Sequence, residues 1–499
     1  LRRQAAEPGS LGGDGQAVTD IYNSSNSADL AAWPSEAYVP SGTDLAAALY
    51  DPALQGAKTA SDNDLWLLAW EGDPSFAADR RHPLGLLVEI RGLAYNTPGK
   101  NDFLFFIYTF YNVTATGSSA VYNNVPARIR SQVQAAGTRF QSLNVAAGAT
   151  LPADGYTIKD MFLALGADMD VTFEESGQNY DGVNVPFSLG YTYHKSFLAP
   201  ASWTFDPTIY KPPFFAGAGF IGIKYLRSPL VNGQEVGLSL FGATTNQGQF
   251  SDPGNTDALY RYLTGNVDAT KGDDLCNVGD VHLTKICFIN QAGPQDMRFF
   301  QSSGPLTLAA GEYSSVAAAY IFAPPVASGA CTGPAVCSEV RPQSPTNSLT
   351  VMLAPDSITA RGGVNTVDTM TGFLGYSGDH SKGGAQPDGL FNTYDLNTVP
   401  GSLLGKAQTA QAVFDARFVQ PAPPKSPSYY LIPGDAQVTI LWQPSVSECP
   451  ATPGPGDGDP YYQAAQSIAN FDPNYRQCDI AGYRVYRGTR GDATNLQLL

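Results

Sequence analysis

Carboxylates are the side chains whose grouping in this chain points most directly to chemistry. Asp168, Asp170, Glu174 and Asp181 follow one another on a single turn-rich stretch. Calcium takes about six to eight oxygen ligands, and carboxylates on such loops supply them. The spacing does not fit an EF-hand loop. We predict a structural calcium site formed by these four side chains, with solvated loop acids as the alternative interpretation.

Paired carboxylates also serve a different chemistry, the cleavage of glycosidic bonds. Two further acidic groups among turn residues are additional calcium candidates, namely Asp268, Asp273, Asp274 and Asp280, and a looser group of Asp379, Asp388 and Asp395; for glycoside cleavage the residues to test are Asp168 and Asp170. Aromatic residues make up 11% of the chain, which would suit stacking on sugars. They are concentrated in apolar runs such as 65–70 and 103–111, where core packing is the expected role. A carbohydrate-binding or glycan-cleaving protein therefore remains the alternative to a structural protein.

Other reactive groupings are weak in this sequence. The four histidines, His82, His194, His282 and His380, share no short metal-ligand spacing, and HExxH, GxSxG and Walker motifs are absent. Residues 217–222 match GxGxxG, but two prolines precede them and a strand-like run follows, so we predict a closely packed strand there. We therefore predict a non-enzymatic protein with no catalytic residues and no organic cofactor.

The chain is long, acidic and poor in charged side chains. Its 499 residues include 45 acidic and 29 basic ones, for a net charge of −16. That length predicts about two or three domains. The acidic balance argues against nucleic acid as a partner. The longest apolar run, residues 103–111, is far shorter than the roughly 20 residues of a membrane-spanning helix, so we expect no membrane insertion.

Six cysteines form three pairs that are close in sequence: Cys276 with Cys287, Cys331 with Cys337, and Cys449 with Cys478. An even number of cysteines among Gly, Pro and Asn indicates disulfides, with buried inert thiols as the alternative. Disulfides persist in oxidising compartments. We therefore expect a secreted, extracellular or cell-surface protein. Two N-x-S/T sequons, at Asn23 and Asn112, agree with that location but also arise by chance.

Short aromatic and β-branched runs separated by Gly, Pro, Asn and Asp predict strands rather than helices. We predict a large antiparallel β-sandwich over 61–328, with strands at 65–70, 85–90, 103–113, 159–165, 185–193, 220–226, 235–241, 285–290 and 315–322. Asp181-Gly182 and Asn232-Gly233 have the composition of turns. One helix is expected within 125–140, because Val125, Ile129, Val133 and Phe140 lie at helical spacing.

The remaining segments divide the chain further. Residues 1–60 are predicted to be a loop-rich N-terminal arm that lies on a neighbouring domain or subunit. Residues 329–420 form a Cys-, Pro- and Gly-rich connector with a helix at 402–418. The proline-rich run 421–427 predicts a stiff hinge. The last segment, 428–499, contains three strand-like runs at 429–432, 437–442 and 482–488.

The last segment resembles the opening half of a fibronectin type III module. The resemblance rests on residues 434–442, which end in Trp442, and on the Gly-Tyr-Arg-Val-Tyr-Arg-Gly run at 482–488. It implies an Ig-like sandwich with Trp442 in its core. A complete module has about seven strands. We therefore expect an incomplete domain, and either the chain continues past Leu499 or another segment completes the sandwich.

The body of the chain resembles large secreted bacterial surface proteins of unknown function, in which a β-rich region precedes fibronectin type III modules. The residues that carry the likeness lie at 82–85, 105–114 and 298–312. The resemblance implies an all-β, exported protein and assigns no catalytic residues. Together with the disulfides and the arm, it predicts a structural or adhesive protein that associates with itself into a fibre or surface layer. Surface glycans are the alternative partner.

Overall fold

The computed structural model describes the following residues: 16–17, 19–76, 83–96, 99–171, 177, 179–184, 187–194, 220–245, 252–273, 278–281, 284–287, 296–323, 403–420, 427–435, 437–445, 447–466, 475–478, 480, 482–488 and 497–498. The chain divides into two compact units, each described separately below. The large unit contains residues 1–46 and 56–411, and the small unit contains 47–55 and 412–499. The four-region division predicted from the sequence remains a prediction.

The described residues form twenty strands and five helices, so the protein is rich in β-structure. The strands are β1 Gln16–Ala17, β2 Tyr22–Asn23, β3 Asn63–Glu71, β4 Leu86–Ala94, β5 Phe103–Asn112, β6 Ile158–Asp168, β7 Asn179–Asn184, β8 Leu189–His194, β9 Phe220–Arg227, β10 Leu230–Val231, β11 Gln234–Glu235, β12 Leu240–Thr245, β13 Val278–Val281, β14 Thr284–Cys287, β15 Met297–Leu308, β16 Tyr313–Ala323, β17 Tyr429–Gly434, β18 Gln437–Trp442, β19 Tyr486–Arg487 and β20 Gln497–Leu498. The helices are α1 Ser27–Ala31, α2 Arg130–Ala146, α3 Thr256–Thr264, α4 Leu403–Asp415 and α5 Tyr462–Gln466.

Two sheets form the framework of the large unit. The first has the strand order β1-β3-β4-β5-β16-β9-β8-β7, with β2 also paired to β3. The second has the order β13-β14-β12-β15-β6. The ladders are antiparallel, as predicted, except that β12 and β14 run parallel. Buried and half-buried residues alternate along β3, which is the pattern of a strand packed on one face.

Polar side chains connect the two sheets where they meet. Gln301 on β15 accepts a hydrogen bond from the backbone N–H of Gly190 at 3.0 Å and donates to the carbonyl of Ile223 at 2.8 Å. Tyr225 on β9 donates to the carbonyls of Leu163 and Gln301 at 3.0 and 3.1 Å. These bonds satisfy buried polar groups between the sheets. The arrangement fits the predicted sandwich.

A hydrophobic core lies under strands β3, β4 and β5, where helix α2 and the N-terminal arm cover the sheet. Its buried members include Trp33, Trp66, Leu68, Trp70, Leu87, Tyr111, Val113, Tyr122, Val125, Ile129, Val133 and Phe140. The arm also lies along the edge of the sheet. Thr19 and Leu68 exchange hydrogen bonds of 2.9 and 3.4 Å, and Ser24 and Asp64 exchange bonds of 2.7 and 2.8 Å. The arm thereby covers an edge strand that would otherwise be open.

The structure corrects several predicted elements. Asp181 and Gly182, predicted as a turn, lie inside β7 and pair with Thr192 and Tyr191 of β8. Helix α2 begins at Arg130, later than Val125, and runs on to Ala146. Helix α3 was not predicted, although Asn255 caps its start and Gly265 follows its end in the left-handed conformation, two ordinary helix-boundary signals.

The small unit contains two paired segments and a disulfide. Strands β17 and β18 form a hairpin in which Tyr429 pairs with Trp442 and Leu431 with Ile440. Strands β19 and β20 form a second, shorter pair. Trp442 contacts the ring of Tyr483 edge-on but is 49% exposed, so it does not occupy the sandwich core that the fibronectin resemblance implied. The fibronectin-like module remains a prediction.

Candidate functional site

A densely bonded polar site in the described part of the large unit surrounds Glu89, which is buried on β4. Its Oε1 accepts hydrogen bonds from Trp66 Nε1 at 2.9 Å, Arg91 Nε at 2.9 Å and Arg128 Nη1 at 2.8 Å. Its Oε2 accepts from Tyr111 Oη at 3.0 Å and Arg128 Nη2 at 2.9 Å. We call Asp44, Glu89, Arg91 and Arg128 the buried ionic centre.

Both arginines of the buried ionic centre also bind the N-terminal arm. Arg91 donates to the backbone carbonyls of Glu36, Ala37 and Tyr38 at 2.8 to 3.0 Å. Arg128 donates to the carbonyl of Glu36 at 2.8 Å and to Asp44 Oδ2 at 2.8 Å. The centre therefore fastens the arm to the sheet through charge-assisted hydrogen bonds, which are stronger than neutral ones.

The surroundings of Glu89 keep it ionised. Burial by itself would raise the pKa of this carboxyl, but the positive charges of Arg128 and Arg91 outweigh that effect and hold the pKa well below its ordinary value. Burial and the negative charge of Glu89 raise the pKa of Tyr111 well above its ordinary value, so its hydroxyl stays protonated and donates. The pKa shifts of Glu89 and Tyr111 each favour one fixed protonation state, which suits a structural role.

The sequence analysis did not single out Glu89, Arg91 or Arg128. A signal was available on β4, where Leu87, Glu89, Arg91 and Leu93 all occupy buried positions two residues apart. Two opposite charges on the inward face of an apolar strand need partners from elsewhere, because unpaired buried charges are costly. Those partners come from Trp66 on β3 and from Arg128 in the turn before α2, which the sequence spacing does not reveal.

The predicted calcium ligands are only partly brought together. Asp168 ends β6, Asp170 follows it, and Asp296 precedes β15; one carboxylate oxygen of each lies within 4.8 Å of the others. We call these three residues the acidic cluster. Arg298 bonds to Asp168 at 2.9 Å and to Asp252 at 2.8 Å. Asp296 was missed because it lies far along the chain and joins the cluster through the β15–β6 ladder, in which Arg298 pairs with Asp168.

Of the other two predicted ligands, Asp181 is not part of the acidic cluster. Glu174 lies outside the described residues. Asp181 is fully buried on β7, where Thr192 Oγ1 donates to its Oδ1 at 2.6 Å. Burial raises the pKa of Asp181 to about 8, the Thr192 bond opposes that rise, and the charge of Asp168 adds to it. Calcium binding by the four predicted residues remains a prediction.

Two members of the second acidic group, Asp268 and Asp273, have described side chains, and both make structural contacts. Asp273 forms an ion pair with Arg261, including a bond of 2.7 Å from Nη2 to Oδ1. Asp268 caps the turn at Thr270, accepting from its backbone N–H at 3.0 Å. Asp274, Asp379, Asp388 and Asp395 lie outside the described residues, and the side chain of Asp280 is not described. Of this group, Asp268 and Asp273 therefore stabilise a loop.

One predicted disulfide is present in the small unit, between Cys449 and Cys478, whose Cα atoms are 5.7 Å apart. Cys276, Cys331 and Cys337 lie outside the described residues, so the pairings Cys276–Cys287 and Cys331–Cys337 remain predictions. The sequon at Asn112 is buried, because this side chain donates to the carbonyls of Tyr156 and Leu308, each at 2.9 Å. Folding therefore hides that sequon from a glycosylating enzyme.

The hairpin of β17 and β18 exposes large apolar side chains on both faces. Tyr429, Leu431, Val438 and Trp442 lie on one face, and Tyr430, Ile432 and Leu441 lie on the other. All seven are about half exposed or more, up to 66% for Tyr430. Within the described residues, β17 and β18 pair only with each other. We call this surface the exposed hairpin.

Comparison of the chain with protein-family models and with curated proteins finds no match. Among the described helices, none is both long and apolar enough to cross a lipid bilayer.

Proposed function

We propose that this protein is a structural component of the cell exterior that associates with a second copy of itself through the exposed hairpin. The observation that carries the proposal is the apolar surface on both faces of β17 and β18. An isolated two-stranded hairpin is marginal in water, and exposed contiguous apolar surface commonly marks an interaction site. We therefore expect further strands or a packing partner to stabilise the hairpin.

A second copy fits this surface because the hairpin is chemically alike on both faces and because neither edge pairs with another strand of the described chain. Edge pairing between two hairpins forms a four-stranded sheet through backbone hydrogen bonds. A two-fold arrangement brings the same surface of each copy together, as in most symmetric dimers. Packing Trp442 and Tyr430 against a partner also removes large aromatic surfaces from water, which favours association.

Two features of the described structure support a structural rather than a catalytic role. The charges of the buried ionic centre are directed at the protein's own backbone and side chains, where they fasten the arm to the sheet. The Cys449–Cys478 disulfide supports an oxidising location outside the cytoplasm, where such bonds persist. Secretion, and assembly into a larger layer or fibre, are part of this proposal.

The test is the mass of the particle in solution. Sedimentation and light scattering of the full chain over a hundredfold concentration range should show a dimer or larger species. The double variant Tyr430→Lys with Leu441→Lys should shift the protein to a monomer, because two charges would be buried in the contact. Val145→Lys is the matched control, since Val145 is an equally exposed apolar residue on α2.

Electron micrographs of the same samples extend the test to larger assemblies. Ordered fibres or sheets of the native chain, absent in the lysine double variant, would support the proposal fully. A native chain that remains monomeric at the highest concentration contradicts it. Loss of association in Val145→Lys as well would show that the hairpin is not the contact. Specific binding in a glycan array by the monomer would favour the carbohydrate-binding alternative instead.

A further inference from the structure

We propose that Asn23 is the attachment site of an N-linked glycan, and that burial in the fold prevents the same modification at the second sequon, Asn112. This inference concerns the N-terminal arm and does not depend on self-association through the exposed hairpin. It rests on a comparison of the two sequons, which share one local geometry and differ in the surroundings of the amide nitrogen that would carry the sugar.

Both sequons form the same turn around their asparagine. Asn23 Oδ1 accepts hydrogen bonds from the backbone N–H and the hydroxyl of Ser25, at 2.9 and 2.8 Å. Asn112 Oδ1 accepts from the backbone N–H and the hydroxyl of Thr114, at 3.0 and 2.7 Å. Turns of this kind engage the amide oxygen. The difference between the two sites therefore lies at the amide nitrogen.

The two amide nitrogens have different surroundings. Asn112 is fully buried, and its Nδ2 donates to the carbonyls of Tyr156 and Leu308, each at 2.9 Å. An asparagine amide has two N–H donors, so these two bonds use both of them. Asn23 is only partly buried, and within the described residues its Nδ2 donates no hydrogen bond. The nitrogen of Asn23 is therefore open to a covalent bond, whereas that of Asn112 is not.

The sequon at Asn23 lies on a surface turn. Strand β2 ends at Asn23, and the backbone N–H of Asn26 donates to the carbonyl of Asn23 at 3.0 Å, which closes the turn. Ser25, Asn26 and Ser27 are exposed. A glycan is bulky and hydrated, so it is carried at the protein surface. The turn at Asn23 offers a transferring enzyme that access.

The side chain of Asn23 points away from the hydrophobic core. Asn23 pairs with Leu65 on β3, whereas its neighbour Tyr22 pairs with Trp66, and the Tyr22 ring packs against the core. Neighbouring residues of a strand point to opposite faces, and directly paired residues share a face. Asn23 therefore lies on the side of β3 opposite the core. A glycan there leaves the contacts of Tyr22 with the core in place.

The transfer reaction forms one bond and breaks one. Nδ2 of Asn23 attacks C1 of an oligosaccharide that is linked to a lipid pyrophosphate. The bond between C1 and the phosphate oxygen breaks, Nδ2 loses one proton, and the lipid pyrophosphate leaves. The motif also requires a hydroxyl two residues after the asparagine, and Ser25 supplies it.

The experiment incubates the folded full chain with a purified oligosaccharyltransferase and its lipid-pyrophosphate-linked oligosaccharide, and tandem mass spectrometry locates the sugar. Synthetic peptides of residues 19–28 and 108–117 are the unfolded references for the two sequons. Ser25→Ala removes the hydroxyl of the sequon, and Ser25→Thr is the matched control because it keeps one. Ser25 is exposed, and circular dichroism confirms that both variants are folded.

We expect both peptides to be modified, and the folded chain to be modified at Asn23. Transfer to Asn112 in the folded chain should be at least about a hundredfold slower than in its peptide, because that amide reacts only in the small fraction of molecules that open locally. Ser25→Thr should be modified like the native chain, and Ser25→Ala should not be modified.

A folded chain that stays unmodified at Asn23 overturns the proposal, whether or not the peptide of residues 19–28 reacts. Equal transfer to Asn112 and Asn23 in the folded chain also overturns it, since burial would then not select between the sequons. Undiminished transfer to Ser25→Ala would contradict the assignment of the sugar to this sequon.

Discussion

Two carboxylates in the large unit, Glu89 and Asp181, are equally buried, but their pKa values shift in opposite directions. Both are essentially inaccessible to solvent. Two guanidiniums, an indole N–H and a phenol bind Glu89, and its pKa lies well below the ordinary value. A single hydroxyl binds Asp181, and burial raises its pKa to about 8. Burial is common to both, so the partners decide which one carries charge.

A third carboxylate, Asp64, lies between these extremes. It accepts hydrogen bonds from the backbone N–H groups of Ala60 and Ser61 at 2.7 and 2.8 Å and from the Ser61 hydroxyl. Burial raises its pKa, and these bonds limit the rise to about 6. At Asp64, hydrogen bonds and a smaller effect of the Arg91 charge offset only part of the desolvation, whereas at Glu89 two bonded guanidiniums outweigh it.

The largest effect is expected from Arg128→Met, which removes two bonds to Glu89 and the link to Asp44. Breaking a buried ion pair by removing one partner costs about 3 to 5 kcal/mol, because the remaining charge is left in the interior. Denaturant unfolding measures that loss. Arg139→Met on α2 is the control, since Arg139 is exposed and its guanidinium lies over the ring of Trp70, and it should cost less than about 1 kcal/mol.

A smaller loss in Arg128→Met, comparable to the control, would contradict the central place given to the buried ionic centre. Limited proteolysis adds a second measure of the same variant. Because Arg128 binds the carbonyl of Glu36, the arm should be cut faster in Arg128→Met than in the native chain.

Asp181→Asn should change how stability depends on pH, in the opposite sense to Glu89. Folded Asp181 holds its proton up to about pH 8, while the unfolded group releases it near its ordinary pKa of 3.8. The native chain therefore loses stability as the pH rises between these values, by up to about 1.4 kcal/mol per pH unit. An amide does not titrate. The free energy of unfolding of Asp181→Asn, relative to that of the native chain, should therefore increase from pH 5 to pH 8.

Urea unfolding at several pH values, in the presence of a chelator, measures this difference. Asp252→Asn serves as the control, because it removes one negative charge from a side chain that is about half exposed. A constant difference between Asp181→Asn and the native chain across this range would show that Asp181 is ionised in the folded protein. Glu89 should produce the reverse trend, since its contribution is present above its ordinary pKa of 4.5 and is lost as the pH falls below that value.

Tyr111→Phe removes one donor from Glu89 while keeping the ring that stacks on Tyr313. Hydrogen bonds to charged groups contribute about 1.5 to 3 kcal/mol, so we expect a loss of that size in denaturant unfolding. Tyr122→Phe is the matched control, because the Tyr122 hydroxyl donates to the neutral carbonyl of Ala115 at 2.9 Å. Equal losses in the two variants would indicate that the charge on Glu89 does not strengthen its hydrogen bond with Tyr111.

The smallest effect is expected from Thr192→Val, which removes the described donor to Asp181 while keeping the side-chain shape. A neutral hydrogen bond contributes about 1 kcal/mol. The loss should be larger at pH 8 than at pH 5, because the lost bond favours the ionised form of Asp181. A loss above about 3 kcal/mol at pH 5 would contradict the view that Asp181 is neutral there.

The sequence predicted much of the sheet framework because apolar and aromatic runs report strands directly. The predicted runs at 65–70, 103–113 and 315–322 correspond closely to β3, β5 and β16. Asp181-Gly182 was misread as a turn, since its composition suits a turn and the pairing with β8 is invisible in local sequence. The Cys449–Cys478 disulfide was also predicted from a local signal. The two cysteines are close in sequence, and such neighbours meet easily in the fold.

By itself the sequence determined the β-rich character of the chain, its strong negative charge and one disulfide, because composition, alternation and short spacing act locally. Tertiary structure decided which carboxylates are charged and which are neighbours. Glu89 bonds to Arg128 because the turn before α2 lies over β4. Asp168 lies near Asp296 because β15 pairs with β6. Electrostatic energy depends on distance in space and on access to water, and neither quantity is written in the order of residues along the chain.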